Sequence, residues 1–278
     1  MTALAVTRLS LREAVSRRLV VIGLALSAAY LALFAFGFDA LYSRVTAEGA
    51  AEARIAAMVL TVLGLYVVRF LAALLAILLS SGAVASEIDS GILHAVLARP
   101  LSRRSWLTQR WLAFVVLTVG YVVLMTGAIV LVSRVVAGYT PGSLGRALAV
   151  LALEMAVLLS LGLLTSTTWS AVTSGVVTFS LFGVAWLAGI IELIGAQVDN
   201  ATMRTIGVVT SLVIPSDALW RGASYYLQPA SMVALAGPQM ANPFAGSAPP
   251  TTALILWSIG YAVVLLAVAA WRLRRRDL

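Results

Sequence analysis

An all-α integral membrane fold with six transmembrane helices is the class this chain predicts, from three observations. Of its 278 residues, 62% are hydrophobic and 11% are charged, against about 45–50% and about 25% in soluble domains. Mean hydropathy is +1.02, and a soluble core has no room for that much apolar surface. Six stretches also reach the roughly 20 apolar residues that cross a hydrocarbon layer about 30 Å thick. They lie at 19–38, 56–81, 111–132, 147–168, 172–194 and 252–271 of what reads as one membrane domain over 1–278.

The first span follows Arg17 and Arg18 and has no clean small-residue cleavage site, so it reads as an uncleaved span rather than a signal peptide. The second runs into a loop at 82–110, and the third, fourth and fifth follow. Residues 195–251 form a long segment before the last span. It holds two apolar stretches, 206–215 and 218–229, each too short to cross. Short interfacial or re-entrant helices fit them, because irregular backbone is not left exposed in lipid; an ordinary outer loop is the alternative. Trp220, Tyr225 and Tyr226 suit an interfacial position.

All nineteen basic residues are Arg, and their placement sets orientation. With the N-terminus inside, the cytoplasmic segments hold Arg8, Arg12, Arg17, Arg18, Arg99, Arg103, Arg104, Arg110, Arg272, Arg274, Arg275 and Arg276. The outer segments hold Arg44, Arg54, Arg134, Arg146, Arg204 and Arg221. Cytoplasmic segments carry the basic excess in membrane proteins, so both termini are expected inside. A net charge of +8 then reports cytoplasmic loops and anionic lipid rather than nucleic acid. Usage rich in Ala, Val and Arg points to a GC-rich bacterial genome, hence to a bacterial plasma membrane.

Enzyme chemistry finds little to stand on. There is no Cys and one His, His94, which leaves no thiolate site, no multi-His metal site and no His triad built on more than one such residue. The seven Met and single His show no clustered ligand spacing, so no metal site is expected. A phosphate loop uses a Lys to reach the phosphates, and this chain has none. If ATP drives it, another polypeptide hydrolyses the ATP.

The loop after the second span carries most information. On a helix, Glu87, Ser90 and His94 share a stripe, while Ile88, Ile92 and Val96 occupy another face. Arg99 precedes Pro100, which steers it out of the helical region and stops the helix. Ser102 suits the cap of the next helix, which carries Arg103, Arg104 and Arg110 into the third span. The loop thus reads as a short amphipathic helix, a stop and a basic restart: a shaped docking surface on the cytoplasmic side.

This pattern resembles the membrane subunits of type-2 ABC transporters, particularly the permeases associated with maturation of copper enzymes such as nitrous-oxide reductase. Their hallmark is an acidic position, a second acidic position, Ser-Gly, a short apolar run, then Arg-Pro and Ser-Arg. Glu87, Asp89, Ser90, Gly91, Arg99, Pro100, Ser102 and Arg103 match it, with Leu93 and Leu97 in the apolar run. The resemblance implies that 82–110 contains a coupling helix seated in a separate ATPase subunit, which would bind ATP and Mg while this chain binds no cofactor. Glu87 would anchor the contact, Gly91 would permit close approach, and the Arg99–Pro100 bend would set the angle to the third span. Residues 3–18 would form an interface helix, although Arg8 shares the stripe of Leu4, Leu11 and Val15. Two permease copies, or this chain and a sister permease, would complete the pore. The simpler reading of Glu87 and Arg99 is that they solubilise a loop at the headgroups.

Three charges interrupt the apolar spans: Arg69 in the second, Glu154 in the fourth and Glu192 near the outer end of the fifth. A charge at mid-bilayer costs about 2.5–3.5 kcal/mol on insertion scales and normally faces protein or water. By helical rise, Arg69 lies about 20 Å and Glu154 about 12 Å below the outer surface, a gap that Arg can bridge. They are expected to pair, between spans or between subunits, either near a translocation path or as a purely structural pair. Glu192 is expected at the interface or at an outer gate. Asp217 and Arg221, four apart after Pro215, read as a local helix start.

The expected function is an exporter permease, not an enzyme, with an amphipathic or lipid-like cargo. A secondary transporter or channel is the alternative; the inverted repeats and broken helices that would favour it are not evident in the sequence.

Overall fold

The computed structural model describes residues 18–47, 49–85, 102–229 and 244–275. Among these residues there are eight helices and no strand: α1 Arg18–Val45, α2 Ala50–Ser81, α3 Arg103–Ala137, α4 Leu144–Ser166, α5 Ala171–Gln197, α6 Ala201–Val213, α7 Ser216–Leu227 and α8 Thr252–Arg275. All except α6 and α7 are long and apolar enough to cross a membrane, so the all-α, six-span architecture read from composition is the one observed. The long helices run past the apolar stretches that announced them. α3, for example, starts at Arg103 because Ser102 Oγ accepts from the Ser105 amide at 3.2 Å, a standard N-cap that a hydropathy window does not register.

The bundle is built around α2 and α4. About two-thirds of the apolar window of α4 is buried (67%), against 11% for α1. Lipid is as apolar as Leu, so interhelical packing here depends on close approach and on hydroxyl contacts rather than on hydrophobic segregation. Gly162 of α4 lies against Ser80 of α2 so closely that a Cβ would overlap the hydroxyl. Thr61 of α2 meets Ser133 of α3 at 2.7 Å, and Trp111 of α3 donates to Ser160 of α4 at 3.0 Å. The outer helix α1 uses an i,i+4 ladder of Tyr30, Phe34, Phe38 and Tyr42. From that ladder Tyr30 donates to the Gly64 carbonyl at 2.7 Å.

The segment after α5 folds back. Asp199 takes a positive φ of 53°, and the Asn200 side chain caps α6 by accepting from Met203 N at 3.1 Å. α6 then runs antiparallel to α5: Gly195 lies against Met203 and, further along, Gly207 lies against Glu192. Next, α7 returns in the opposite direction. Its start approaches Gly189 of α5 through Asp217, and its end meets Tyr139, in the turn between α3 and α4, whose hydroxyl donates to Leu227 O at 2.8 Å. Burial pushes the Tyr139 phenol up to about 12. Counting from Leu227 to Asp217 at the helical rise places the start of α7 about 15 Å in from that level. The same count along α4 reaches Glu154.

So α6 and α7 form a descending and an ascending helix that together re-enter the bundle. α7 is buried along Leu219, Trp220, Ala223 and Leu227, and Trp220 Nε1 donates to Phe244 O at 3.0 Å. α6 instead exposes Ile206, Val208, Val209, Leu212 and Val213.

The α2–α4 contact yields a direct test. Replacing Gly162 by Leu should overpack the crossing at Ser80 and cost about 1–3 kcal/mol, read as a lower thermal unfolding midpoint in detergent. Gly145→Leu, at the start of α4 where a Cβ meets nothing within 4 Å, should leave the midpoint unchanged.

Candidate functional site

Arg69 sits halfway along α2 and is 2% exposed. A guanidinium there must find partners within the protein, because the alternatives are hydrocarbon and an unsatisfied charge. Its Nε donates to Glu154 Oε1 of α4 at 2.8 Å. Nη2 donates to the Ser216 carbonyl, at the first residue of α7, at 3.2 Å. Nη1 lies 3.8 Å from Asp217 Oδ1. The aromatic rings of Phe182, Trp220 and Tyr66 stand 5.2, 5.5 and 5.8 Å from its central carbon, where their quadrupoles favour a cation.

The chain of charge continues outward. Asp217 Oδ2 lies 3.3 Å from Arg221 Nε one turn along α7, and Arg221 Nη2 lies 2.6 Å from Glu192 Oε2 of α5. Glu154, Arg69, Asp217, Arg221 and Glu192 therefore alternate in sign from the middle of α4 to the C-terminal end of α5. Exposure rises along this line: Glu154 is fully buried, whereas the Arg221 and Glu192 side chains are about a quarter exposed (24% and 27%). Glycine makes two of the approaches possible. A Cβ at Gly189 would overlap the Asp217 carboxylate, and one at Gly207 would collide with Glu192. Two buried oxygens, Glu154 Oε2 and Ser216 Oγ, have no hydrogen-bond partner among the described residues.

Against this network lies a cavity of about 410 Å³ between α2 and α5. Tyr66, Arg69 and Phe70 line it from α2, and Phe179, Phe182, Gly183, Trp186 and Leu187 line it from α5. Phe70 makes an edge-on contact with Phe179 at 6.4 Å and a tilted one with Phe182 at 6.2 Å. Among the described residues no three His, Cys, Asp or Glu gather closely enough to hold a metal.

The structure thus brings together Arg69 and Glu154, and links Glu192 to them through two residues that sequence reasoning treated as local. Asp217 and Arg221 do form the expected i,i+4 pair, but each also reaches a different transmembrane helix. A sequence signal existed: an acid and a base of opposite sign from two unpaired intramembrane charges, on a helix too short to span. What it lacked was the depth to which α7 re-enters.

The candidate coupling residues Glu87, Asp89, Ser90, Gly91, His94, Arg99 and Pro100 lie outside the described residues. Arg103 is described, and its guanidinium donates to Leu273 O at 2.9 Å and Arg274 O at 3.4 Å. It therefore satisfies carbonyls in the last turn of α8, a favourable place for a cation. Arg110, read as part of a basic surface, is 4% exposed and stacked by Trp106 and Phe114.

Removing Arg69 alone should be far more damaging than removing the pair. Arg69→Leu strands Glu154, a loss of about 3–5 kcal/mol, whereas Arg69→Leu with Glu154→Leu should recover most of it. Thermal unfolding of the purified single and double variants in detergent checks this; a double variant no better than the single contradicts it.

The family model described as ABC-2 family transporter protein matches residues 4–278, which is nearly the whole chain. No curated protein matches it. A six-span bundle with a short helix pair folded back into it, covered almost end to end by that family model, identifies the chain as a member of the ABC-2 transporter family.

Proposed function

We propose that this chain is the permease subunit of an ATP-driven exporter of a bacterial plasma membrane, working with a separate ATPase subunit and with a second permease, either another copy or a sister chain. The observation that carries the reading is membership of the ABC-2 family over residues 4–278 in a chain with no Lys for a phosphate loop of its own. ATP and Mg belong to the partner in this reading, and the permease is a translocating rather than a catalytic chain. The excess of Arg in 1–18, 82–110 and the C-terminal end supports cytoplasmic termini. The Glu87-to-Arg103 motif supports a docking loop of the kind seen in permeases associated with copper-enzyme maturation.

The buried network gives that loop something to move. The loop follows directly from α2, and α2 carries Arg69, which grips both α4 and the start of α7. A push at the cytoplasmic end of α2 would travel along a stiff helix to Arg69 and reach the outer helix pair through Ser216 and Asp217. Packed helices with two discrete arrangements carry such coupling. A secondary transporter or channel is the second reading, favoured by the re-entrant pair and the buried charges.

Coexpression with candidate ABC ATPase subunits from the same genome distinguishes the two. The permease reading expects a stoichiometric complex with ATPase activity, and at least a tenfold loss of bound ATPase in Glu87→Arg while permease yield is unchanged. A complex indifferent to Glu87→Arg and to Arg99→Glu would overturn the docking assignment, and the absence of any ATPase complex would favour the secondary transporter.

A further inference from the structure

We infer that Ser166, the last residue of α4, is a positioning residue: it is the joint through which displacement of the 82–110 loop enters α4 as well as α2. Transmission rests on the ATPase-driven reading above; the joint itself does not.

The need for this joint begins in the sequence. α2 ends at Ser81, and Gly82, Ala83, Val84 and Ala85 follow. Ala83, Val84 and Ala85 are 1%, 0% and 4% exposed, and Ala85 is already helical. The first amides of a helix have no acceptor within that helix, and a buried amide left without one is costly. An N-cap side chain normally supplies the oxygen, but Gly82, Ala83 and Val84 have no side-chain oxygen to offer. Another helix provides it. Ser166 Oγ accepts from Val84 N at 3.0 Å and from Ala85 N at 3.2 Å, and Ser166 is itself fully buried.

Holding two consecutive amides fixes the direction of the chain as well as its position. Thr61 and Ser133 join two side chains, a contact that a rotamer change can release. Ser166 grips backbone instead, at the point where the loop leaves α2.

The joint also completes a seam. α2 and α4 meet through Arg69 and Glu154 in mid-span, and through Ser80 and Gly162 closer to this end. Ser166 carries the contact past the end of α2. A segment tied to α2 alone could swing about Gly82 while α4 stayed still. With two of its amides held by α4, the same displacement shifts both helices, and with them both members of the buried ion pair. The end of α4 is braced on α5 as well: Thr165 Oγ1 meets Ser174 Oγ at 2.7 Å and Thr178 Oγ1 at 3.0 Å. The helix that carries Glu192 therefore shares the displacement.

Two measurements test this on the full chain. Hydrogen exchange of the chain alone in nanodiscs reads the joint: Ser166→Ala should speed exchange of the 84 and 85 amides at least tenfold, with α8 unchanged. Ser258→Ala removes a buried hydroxyl that donates to the Leu254 carbonyl of its own helix, and should leave 84 and 85 as they are in the native chain. Transmission is read in the complex with an ATPase subunit, as the difference in α7 exchange between the nucleotide-free state and ATP with vanadate, at matched amounts of bound ATPase. The native and Ser258→Ala complexes should show that difference, and in Ser166→Ala it should be at least fivefold smaller. Unchanged exchange at 84 and 85 in Ser166→Ala would overturn the joint, and a full α7 response in that variant would overturn transmission. Loss of bound ATPase in place of a lost response would make Ser166 a support for docking and overturn transmission too. Absence of any ATPase complex, with 84 and 85 still dependent on Ser166, would remove the ATPase-driven reading and transmission with it while leaving the joint in place.

Discussion

The structure turns on one constraint: a guanidinium placed in the middle of an apolar helix has no solvent to return to. Arg69 answers it with a carboxylate from α4, a carbonyl and a second carboxylate from α7, and three aromatic rings around its planar head. Each partner comes from a different part of the fold, and so the arginine fixes where those parts lie. α7 is the clearest case. Its sequence is short and comparatively polar, and free in a bilayer it would move to the interface. With its first turn bound to Arg69 and its Trp220 bound to Phe244 O, it is held inside the bundle instead.

The re-entrant pair also shows how small residues shape a membrane protein. Gly189 and Gly207 contribute no side-chain contact of their own; they allow Asp217 and Glu192 to come within ion-pairing reach of Arg221 while the helices remain close. The same logic holds at Gly162 and Ser80 in the centre of the bundle. Beside a core of buried aliphatic side chains such as Leu65, Ile77, Leu158 and Leu159, the closest helix crossings use glycine and hydroxyl contacts, as expected when lipid competes equally for apolar surface.

Much of this was legible in the sequence, because the bilayer reduces the fold to length and charge. Twenty apolar residues must be a span, and two isolated opposite charges at compatible depths must seek each other; Arg69 and Glu154 do. Ser102 was readable as a cap from local chemistry alone. The rest was not legible where the answer depended on tertiary placement. Asp217 and Arg221 satisfy a local helical rule so well that the rule hides their partners on α2 and α5. Arg110 looks like a surface cation by composition, yet it is buried against the rings of Trp106 and Phe114. The aromatic cavity was invisible for a similar reason: Phe70 and Phe179 belong to different spans, and nothing in either span says that they meet.

The central claim is that Arg69 holds the re-entrant helix α7 in the bundle. Hydrogen exchange of the full chain in nanodiscs, compared between the native protein and Arg69→Met, tests it most directly. The account predicts that the amides of α7 lose protection in the variant while those of α8 keep theirs. Equal protection of α7 in both proteins would mean that the helix is held by other contacts, and that Arg69 is a passenger in a fold that does not need it.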